Sequence, residues 1–209
     1  MKKNPLIELG NVPVQTGTLK GIFSDYSAKE MKISALERDG QLIRLKRGLY
    51  VVSSDVTGKQ TDIRICANHI YSPSYISLQW ALRWYGLIPE HVVTVTSVTT
   101  NATKLFKNSL GYFSYRKVAD SYFPIGIRNV VDNGIGFLIA RPEKALCDLI
   151  LADSYLPSRS FTGLATYLEE DIRFDMDALK DFDVSIIEEC LNADRKTTIL
   201  SNLIKMIKR

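Results

Sequence analysis

The stretch LERDGQLIRLKRGLYVV, residues 36–52, gives the clearest indication of the fold in this 209-residue chain. It begins as the end of a charged helix and turns at Asp39-Gly40, after which apolar and polar residues alternate up to Leu45. A second turn at Lys46-Arg47-Gly48 precedes an apolar run that ends at Val52. Two such runs around a glycine-containing turn predict a β-hairpin, because glycine adopts the backbone angles that a tight turn needs.

The predicted hairpin combines apolar strands with a cationic turn. Its cations are Arg44, Lys46 and Arg47. The residues expected to hold the strands against the preceding helices are Leu42, Ile43, Leu45, Leu49 and Val51. A short charge run is usually a solvated surface, so the cations alone do not identify a binding site. The elements before the hairpin therefore decide its interpretation.

Three short helices are predicted before the hairpin. They span Leu6 to Leu9, about Val14 to Phe23, and about Ser27 to Asp39. In the third helix Ser27 is the predicted N-cap, with Glu30 placed as in a capping box, and Gly40 ends the helix. A helical wheel turns Ile33 and Leu36 toward the core. The outward side chains on that wheel are Ser27, Ser34 and Arg38.

The excess positive charge is confined to the first quarter of the chain. The formal net charge is +4; residues 1–52 hold nine cations and five acids, and the remainder holds equal numbers of both. Three short helices followed by a basic-tipped hairpin is the order of a winged helix-turn-helix, whose third helix enters the major groove while the hairpin reaches phosphates. We therefore predict a DNA-binding domain at residues 1–52. The predicted double-stranded DNA contacts are Ser27, Lys29, Lys32, Ser34, Arg38, Arg44, Lys46 and Arg47.

A second domain is predicted at residues 61–209, after a small, polar linker at residues 53–60. A helix is expected from Ser72, with Pro73 in its first turn, to about Tyr85. The predicted strands are HVVTVTSVTT (91–100), GYFSYRKV (111–118) and GIGFLIA (134–140). Helices are predicted at Pro142 and beyond Phe161. Because strands and helices do not alternate regularly, the predicted class is α+β, a winged helix-turn-helix followed by a mixed α/β domain that should be separable from it.

Sequence motifs for catalysis or metal binding are weak, and we expect no enzyme, cofactor or metal. Walker A and G-x-G-x-x-G sequences are absent. Cys66 and His69 form one C-x-x-H pair without a second pair at zinc spacing. The D-x-D at Asp175-Met176-Asp177 lacks a preceding Gly-Ser turn, so a solvated helix face is the better interpretation. Glu143-Lys144 follows a strand as in a nuclease core, but the usual spacer and a partner aspartate are missing.

The three cysteines indicate the compartment. Cys66, Cys147 and Cys190 are odd in number and far apart in the sequence, which favours buried, reduced thiols over a disulfide framework. Neither a signal sequence nor an apolar run long enough for a bilayer span is evident. These features predict a cytoplasmic protein.

Four motifs, taken in order, resemble one family. They are LIRLKRGLYVV, SPSYISLQWALRWYGLIPE, VTSVTT and ARPEKALCDLIL. With these motifs, roughly residues 5–152 resemble the AbiEi antitoxins of bacterial type IV toxin-antitoxin systems, which act in abortive infection, a form of phage defence. The resemblance implies a winged helix that represses its own operon and a C-terminal domain with antitoxin activity. It also implies a nucleotidyltransferase-like toxin encoded next door, which need not be bound directly. The tail beyond Phe161 lies outside it.

Two interpretations of Arg141, Glu143 and Lys144 remain open. They could form a polar antitoxin surface at a strand-to-helix junction, or they could serve only the start of a helix, with Lys144 pairing with Asp148 one turn later. Two functions also remain open. One is a DNA-binding, autoregulating antitoxin. The other is an ordinary winged-helix transcription factor whose C-terminal domain senses a ligand or another protein.

Overall fold

A computed structural model describes residues 4–153, 160–193 and 197–208 of the chain. Its amino-terminal elements are a 3₁₀ helix Pro5–Leu9, strand β1 Val14–Gln15, helices α1 Thr16–Ile22 and α2 Lys29–Arg38, and strands β2 Leu42–Lys46 and β3 Leu49–Val52. The three strands form an antiparallel sheet in the order β1-β3-β2. The predicted order of three helices followed by a hairpin is therefore confirmed.

Two helix starts differ from the prediction. The chain at Val14 is extended because it pairs with Tyr50 of β3, and α1 begins only at Thr16. The predicted N-cap Ser27 is wrong: α2 begins at Lys29, and the capping position is Ala28, whose carbonyl accepts the first helical bond from the Lys32 amide at 3.1 Å. Glu30, the other residue of the expected capping box, pairs with Lys20 of α1, and no side-chain hydrogen bond caps α2. The predicted end of α2 is confirmed, since Gly40 has a positive φ of 72°.

The remaining elements build an α+β unit. They are α3 Ser54–Thr57, α4 Ile63–Ile70, β4 Ser74–Ile76, α5 Leu78–Trp84, β5 Val95–Thr99, β6 Lys104–Asn108, β7 Gly111–Lys117, β8 Ile127–Asp132, β9 Ile135–Ala140, α6 Pro142–Ala152, α7 Phe161–Thr166, a π-helical turn Tyr167–Asp171, a 3₁₀ helix Met176–Asp181, α8 Val184–Ala193 and α9 Thr197–Ile207. In the described ranges the strands form a six-stranded sheet in the order β6-β7-β5-β4-β9-β8. Its pairs are mixed: β5–β7 and β4–β9 are parallel, and the others are antiparallel.

The helix predicted from Ser72 to Tyr85 is wrong in its first half. Residues 74–76 form β4, a central strand between β5 and β9, and the helix begins only at Leu78. All three residues of β4 are buried. Partners that are distant in sequence thus decide the conformation of this stretch, as is usual for strands.

Strand β3 of the hairpin is buried on both faces, and the hairpin joins two apolar clusters. The cluster under α1 and α2 contains Leu6, Leu19, Phe23, Ile33, Leu36, Leu42, Tyr50 and Val52. Leu45, Leu49 and Val51 instead belong to the core of the second unit. Side chains alternate between the two faces of a strand. Leu49 and Val51 of β3 therefore face the core of the second unit, and Tyr50 and Val52 face the cluster under α1 and α2. The expectation that Leu45, Leu49 and Val51 pack on the preceding helices is therefore wrong, and so is the same expectation for Ile43, which packs against the core of the second unit. The predicted boundary at residue 52 stays a prediction.

Among the helices of the described residues, none is both long enough and apolar enough to cross a bilayer. The predicted linker at residues 53–60 contains the short helix α3. The Nδ2 group of Asn11 donates to the carbonyl of Gln60 at 2.9 Å, which ties the end of this segment back to the amino-terminal unit.

Candidate nucleic-acid interface

Helix α2 presents one apolar and one polar face. Ile33 and Leu36 are buried, at 3% and 5% exposure, whereas Ser34 and Arg38 are exposed, as the helical wheel predicted. Met31 lies on the outer face as well and is 74% exposed. At about 100° per residue, Met31, Ser34 and Arg38 fall within an arc of about 60°. The outer face of α2 is thus a narrow stripe of one thioether, one hydroxyl and one guanidinium.

Sequence reasoning missed Met31, although a signal was available. The residue lies about 160° from Ile33 on the wheel, so an apolar side chain stands in the middle of the polar face. A solvent-exposed methionine costs little by itself, since single apolar residues are common on surfaces. Its position beside Ser34 and Arg38 makes it relevant here.

The other residues predicted to contact DNA differ in their exposure to solvent and in the side chains that they already contact. Arg38 meets Asp39 only at 3.7 Å, and both side chains are largely exposed, so this pair is weak. Lys32 places its Nζ 5.4 Å from the centre of the Tyr26 ring. Ser27 is exposed and Lys29 half-buried at the start of α2. These residues surround the stripe of α2 rather than belonging to it.

The hairpin cations fall into two groups. Arg44 donates to the carboxylate of Glu37 at 2.6 Å and lies over the ring of Tyr50, so it ties the hairpin to α2. Lys46 and Arg47 lie at the turn, half-buried and exposed respectively. Within the described part of the chain, neither of these two forms an ion pair. The tip of the hairpin therefore offers two uncompensated cations, whereas Arg44 is already engaged.

The interpretation of Arg141, Glu143 and Lys144 as a surface is wrong for two of the three. Arg141 is exposed as the N-cap of α6, but Glu143 is 6% and Lys144 is 0% exposed. One carboxylate oxygen of Glu143 accepts the amide of Asp183 just before α8. The fold covers this end of α6 with residues distant in sequence, which the sequence pattern alone did not indicate.

Lys144 and Asp148 form a buried ion pair inside a polar cluster. The two charged groups are 3.3 Å apart, one helical turn from each other, as the second interpretation predicted. Lys144 donates to the carbonyl of Tyr122 at 3.1 Å, and its ammonium lies 3.0 Å from the centre of the Tyr122 ring. The other oxygen of Asp148 accepts from Tyr75 at 3.1 Å and from Ser77 at 2.5 Å.

This polar cluster is closely packed and remains protonated at its tyrosines. Burial, assisted by the charge of Asp148, raises the pKa of Tyr75 well above its ordinary value, so its hydroxyl stays a donor. Gly126 has a φ of 60°, and a Cβ there would come within 2.8 Å of the Lys144 Cβ. The cluster therefore joins α6 to β4 as an internal support.

The weak sequence motifs for chemistry have structural explanations. Asp175 accepts the amide of Asp177, and Asp177 pairs with Lys180 at 2.7 Å on a solvated surface. Cys66 is buried in α4, where burial raises the pKa of its thiol to about 12, while His69 lies at the surface. All three cysteines are buried, free thiols, as predicted. In the described ranges, no three His, Cys, Asp or Glu side chains are grouped so that they could hold a metal ion.

Comparison with known proteins does not identify the chain. No family model matches it, and no curated protein matches it.

Proposed function

We propose that this protein is a DNA-binding antitoxin that represses its own operon and counteracts a nucleotidyltransferase-like toxin in the cytoplasm. The observation that carries the DNA-binding part is the combination of an exposed stripe on α2 with two uncompensated cations at the hairpin turn. Both lie in the segment that holds all the net positive charge. In a winged helix-turn-helix bound to a duplex, the recognition helix contacts the edges of the bases and the wing contacts the phosphates. The antitoxin part is supported by the resemblance to AbiEi antitoxins.

The experiment that tests this proposal uses the chain together with the gene adjacent to its own. Expression of that gene alone should arrest growth, co-expression of this chain should restore growth, and the chain should bind and repress the promoter of the pair. If the adjacent gene is harmless, the antitoxin proposal fails. If promoter binding is absent, the DNA-binding part fails on its own.

One observation favours the second candidate, a transcription factor with a sensing C-terminal domain. A cavity of about 520 Å³ lies between the sheet and α6, and its lining includes Thr103, Arg116, Tyr122 and Asp148. Its size is in the range of small-molecule sites in proteins. A small molecule that changes promoter affinity, in cells where the adjacent gene is harmless, would support this candidate.

We expect the double change Lys46→Ala/Arg47→Ala to weaken binding to promoter DNA and to unrelated DNA by a similar factor. Each phosphate contact releases counterions, so the slope of log affinity against log salt should fall by up to about 2. Titrations of labelled duplexes at several salt concentrations measure this. Lys180→Ala/Lys205→Ala removes the same charge from the C-terminal helices and serves as the control. A slope that does not differ from the control would remove the wing from the interface.

We expect Met31→Ala, Ser34→Ala and Arg38→Ala to weaken binding to the promoter far more than binding to unrelated DNA. Base contacts typically contribute about 1 to 3 kcal/mol each, and an apolar side chain such as methionine can contact the thymine methyl group. Competition titrations with single base-pair variants, including uracil in place of thymine, measure the effect. Lys59→Ala is the control for the charge lost in Arg38→Ala. Unchanged base preference in all three variants would show that another face of the protein reads the sequence.

A further inference from the structure

A groove separates the tip of the wing from the second unit. It encloses about 660 Å³, and its walls come from three places. Lys46 and Arg47 line it from the hairpin, Gln15 and Thr18 from the junction of β1 and α1, and His69 from the end of α4. Among the described residues that line it, none is acidic. A groove with two cations, several neutral hydrogen-bonding groups and no carboxylate in its described lining is suited to an anion.

The two walls of the groove are held in a fixed relation. Leu45 and Leu49 of the hairpin are packed into the core of the second unit. Next to the hairpin turn, Asn108 at the end of β6 donates to the carbonyl of Leu45 at 3.0 Å. On the other wall, Tyr115 of β7 donates to the carbonyl of Ala67 in α4 at 2.6 Å. The groove therefore exists before any ligand arrives, so binding requires little reorganisation.

The second unit places cations near this groove, although the unit carries no net charge. Between Glu90 and Asp120 the sequence contains four cations and no acid. One of them, Lys104, lies over the rings of Tyr71 and Phe106, at 5.8 Å and 5.0 Å from their centres. Lys104 and Lys107 lie on β6, whose last residue contacts the hairpin, whereas Arg116 and Lys117 line a separate cavity beside α6. The equal numbers of cations and acids in residues 53–209 conceal this local excess.

We propose that this groove binds a phosphate of the DNA backbone, so that His69 of the second unit contacts the same duplex as Lys46 and Arg47 of the wing. This inference rests on the proposed DNA binding and extends the interface beyond residues 1–52. His69 acts as a neutral hydrogen-bond donor, because partial desolvation lowers the pKa of its imidazole. Ser72 also lines the groove, but its hydroxyl donates to the carbonyl of Asn68 at 2.6 Å, so we assign it no phosphate contact.

The test compares the two histidines of the full-length chain, His69 and His91, which are both exposed. We expect His69→Ala to weaken binding to promoter and unrelated duplexes alike, by about tenfold, as for one lost hydrogen bond to a charged group. His69→Lys should tighten binding and steepen the salt slope by about 0.9, because it adds one cation at a phosphate. His91→Ala and His91→Lys make the same changes outside the groove and should have much smaller effects.

A double-mutant cycle makes the assignment to one phosphate specific. In the Lys46→Ala/Arg47→Ala background, the effect of His69→Ala should shrink, because residues that share one ligand group couple, whereas independent contacts add. Equal effects of the His69 and His91 changes would overturn the inference. Binding of inorganic phosphate or a mononucleotide without competition by duplex would overturn it too, because the groove would then hold a free anion. If the unaltered chain binds no duplex, the proposed function fails instead.

Discussion

Replacing Lys144 with alanine is expected to lower the free energy of unfolding by about 3 to 5 kcal/mol, since it leaves the carboxylate of Asp148 buried without its cation. Both side chains are almost completely inaccessible, at 0% and 1% exposure. Lys144 also donates to the Tyr122 carbonyl, which would lose this partner inside the protein. The change therefore combines an uncompensated charge, a lost hydrogen bond and a cavity, three of the mechanisms that produce large losses of stability.

Chemical denaturation followed by circular dichroism measures this loss. Lys144→Met separates its causes, because methionine restores most of the volume but none of the charge, so most of the loss should remain. Lys180→Ala is the matched control: it also removes a lysine from a helical ion pair, with Asp177, but both partners are largely exposed. Its unfolding should be unchanged. Native stability in Lys144→Met would show that the buried pair contributes nothing net.

Removing residues 1–52 is expected to abolish DNA binding and also to destabilise the remaining chain. The loss of binding follows from the removal of α2 and the wing. The loss of stability follows from the hairpin, because Leu45, Leu49 and Val51 leave the core that they share with α4 and β4. Burying each such side chain contributes about 1.5 to 3 kcal/mol, so a total loss of roughly 5 to 9 kcal/mol is expected. Thermal unfolding and duplex titration of the fragment 53–209 measure the two effects.

Two comparisons make this result informative. The fragment 41–209 keeps the hairpin and so should retain more stability, but it lacks α2 and should not read base sequence. The full-length triple variant Met31→Ala/Ser34→Ala/Arg38→Ala should lose base preference with its stability intact, since all three side chains lie outside the core. Rescue of growth by the fragment 41–209 would place toxin neutralisation in the second unit. If the fragment 53–209 is as stable as the full chain, the packing of the hairpin against the second unit does not contribute to the free energy of unfolding.

Local physical chemistry made several features predictable from the sequence. The helix after Pro142 begins where predicted, because proline fits the first turn and an acid favours the positive end of the helix dipole. Gly40 ends α2 because its backbone adopts a left-handed conformation there. The inward turn of Ile33 and Leu36 follows from helical periodicity alone. Each of these depends on residues within one or two turns of each other.

Burial and one central strand required the tertiary structure. The strands β4, β6 and β8 were not predicted. β6 and β8 pair with the strands that directly follow them, β7 and β9, so these are local hairpins that the sequence analysis missed. β4, in contrast, exists through pairing with β5 and β9, which are distant in the sequence. The same limit applies to Lys144, whose sequence pattern fits an exposed helix start, yet Tyr122, Tyr75 and Ser77 are brought around the ion pair it forms. It also applies to Arg44. The sequence predicted the same phosphate contact for Arg44 as for Lys46, but in the structure Arg44 pairs with Glu37 of α2.

The sequence by itself therefore determined which segments form the helices before the hairpin and where the excess charge lies, because propensity, capping and charge are properties of neighbouring residues. Only the tertiary structure decided which cations stay free and which polar side chains become buried. It also decided that His69 lines the same groove as Lys46 and Arg47. The physical reason is that burial and pairing depend on what the rest of the fold places against a side chain, and such contacts join residues far apart in the sequence.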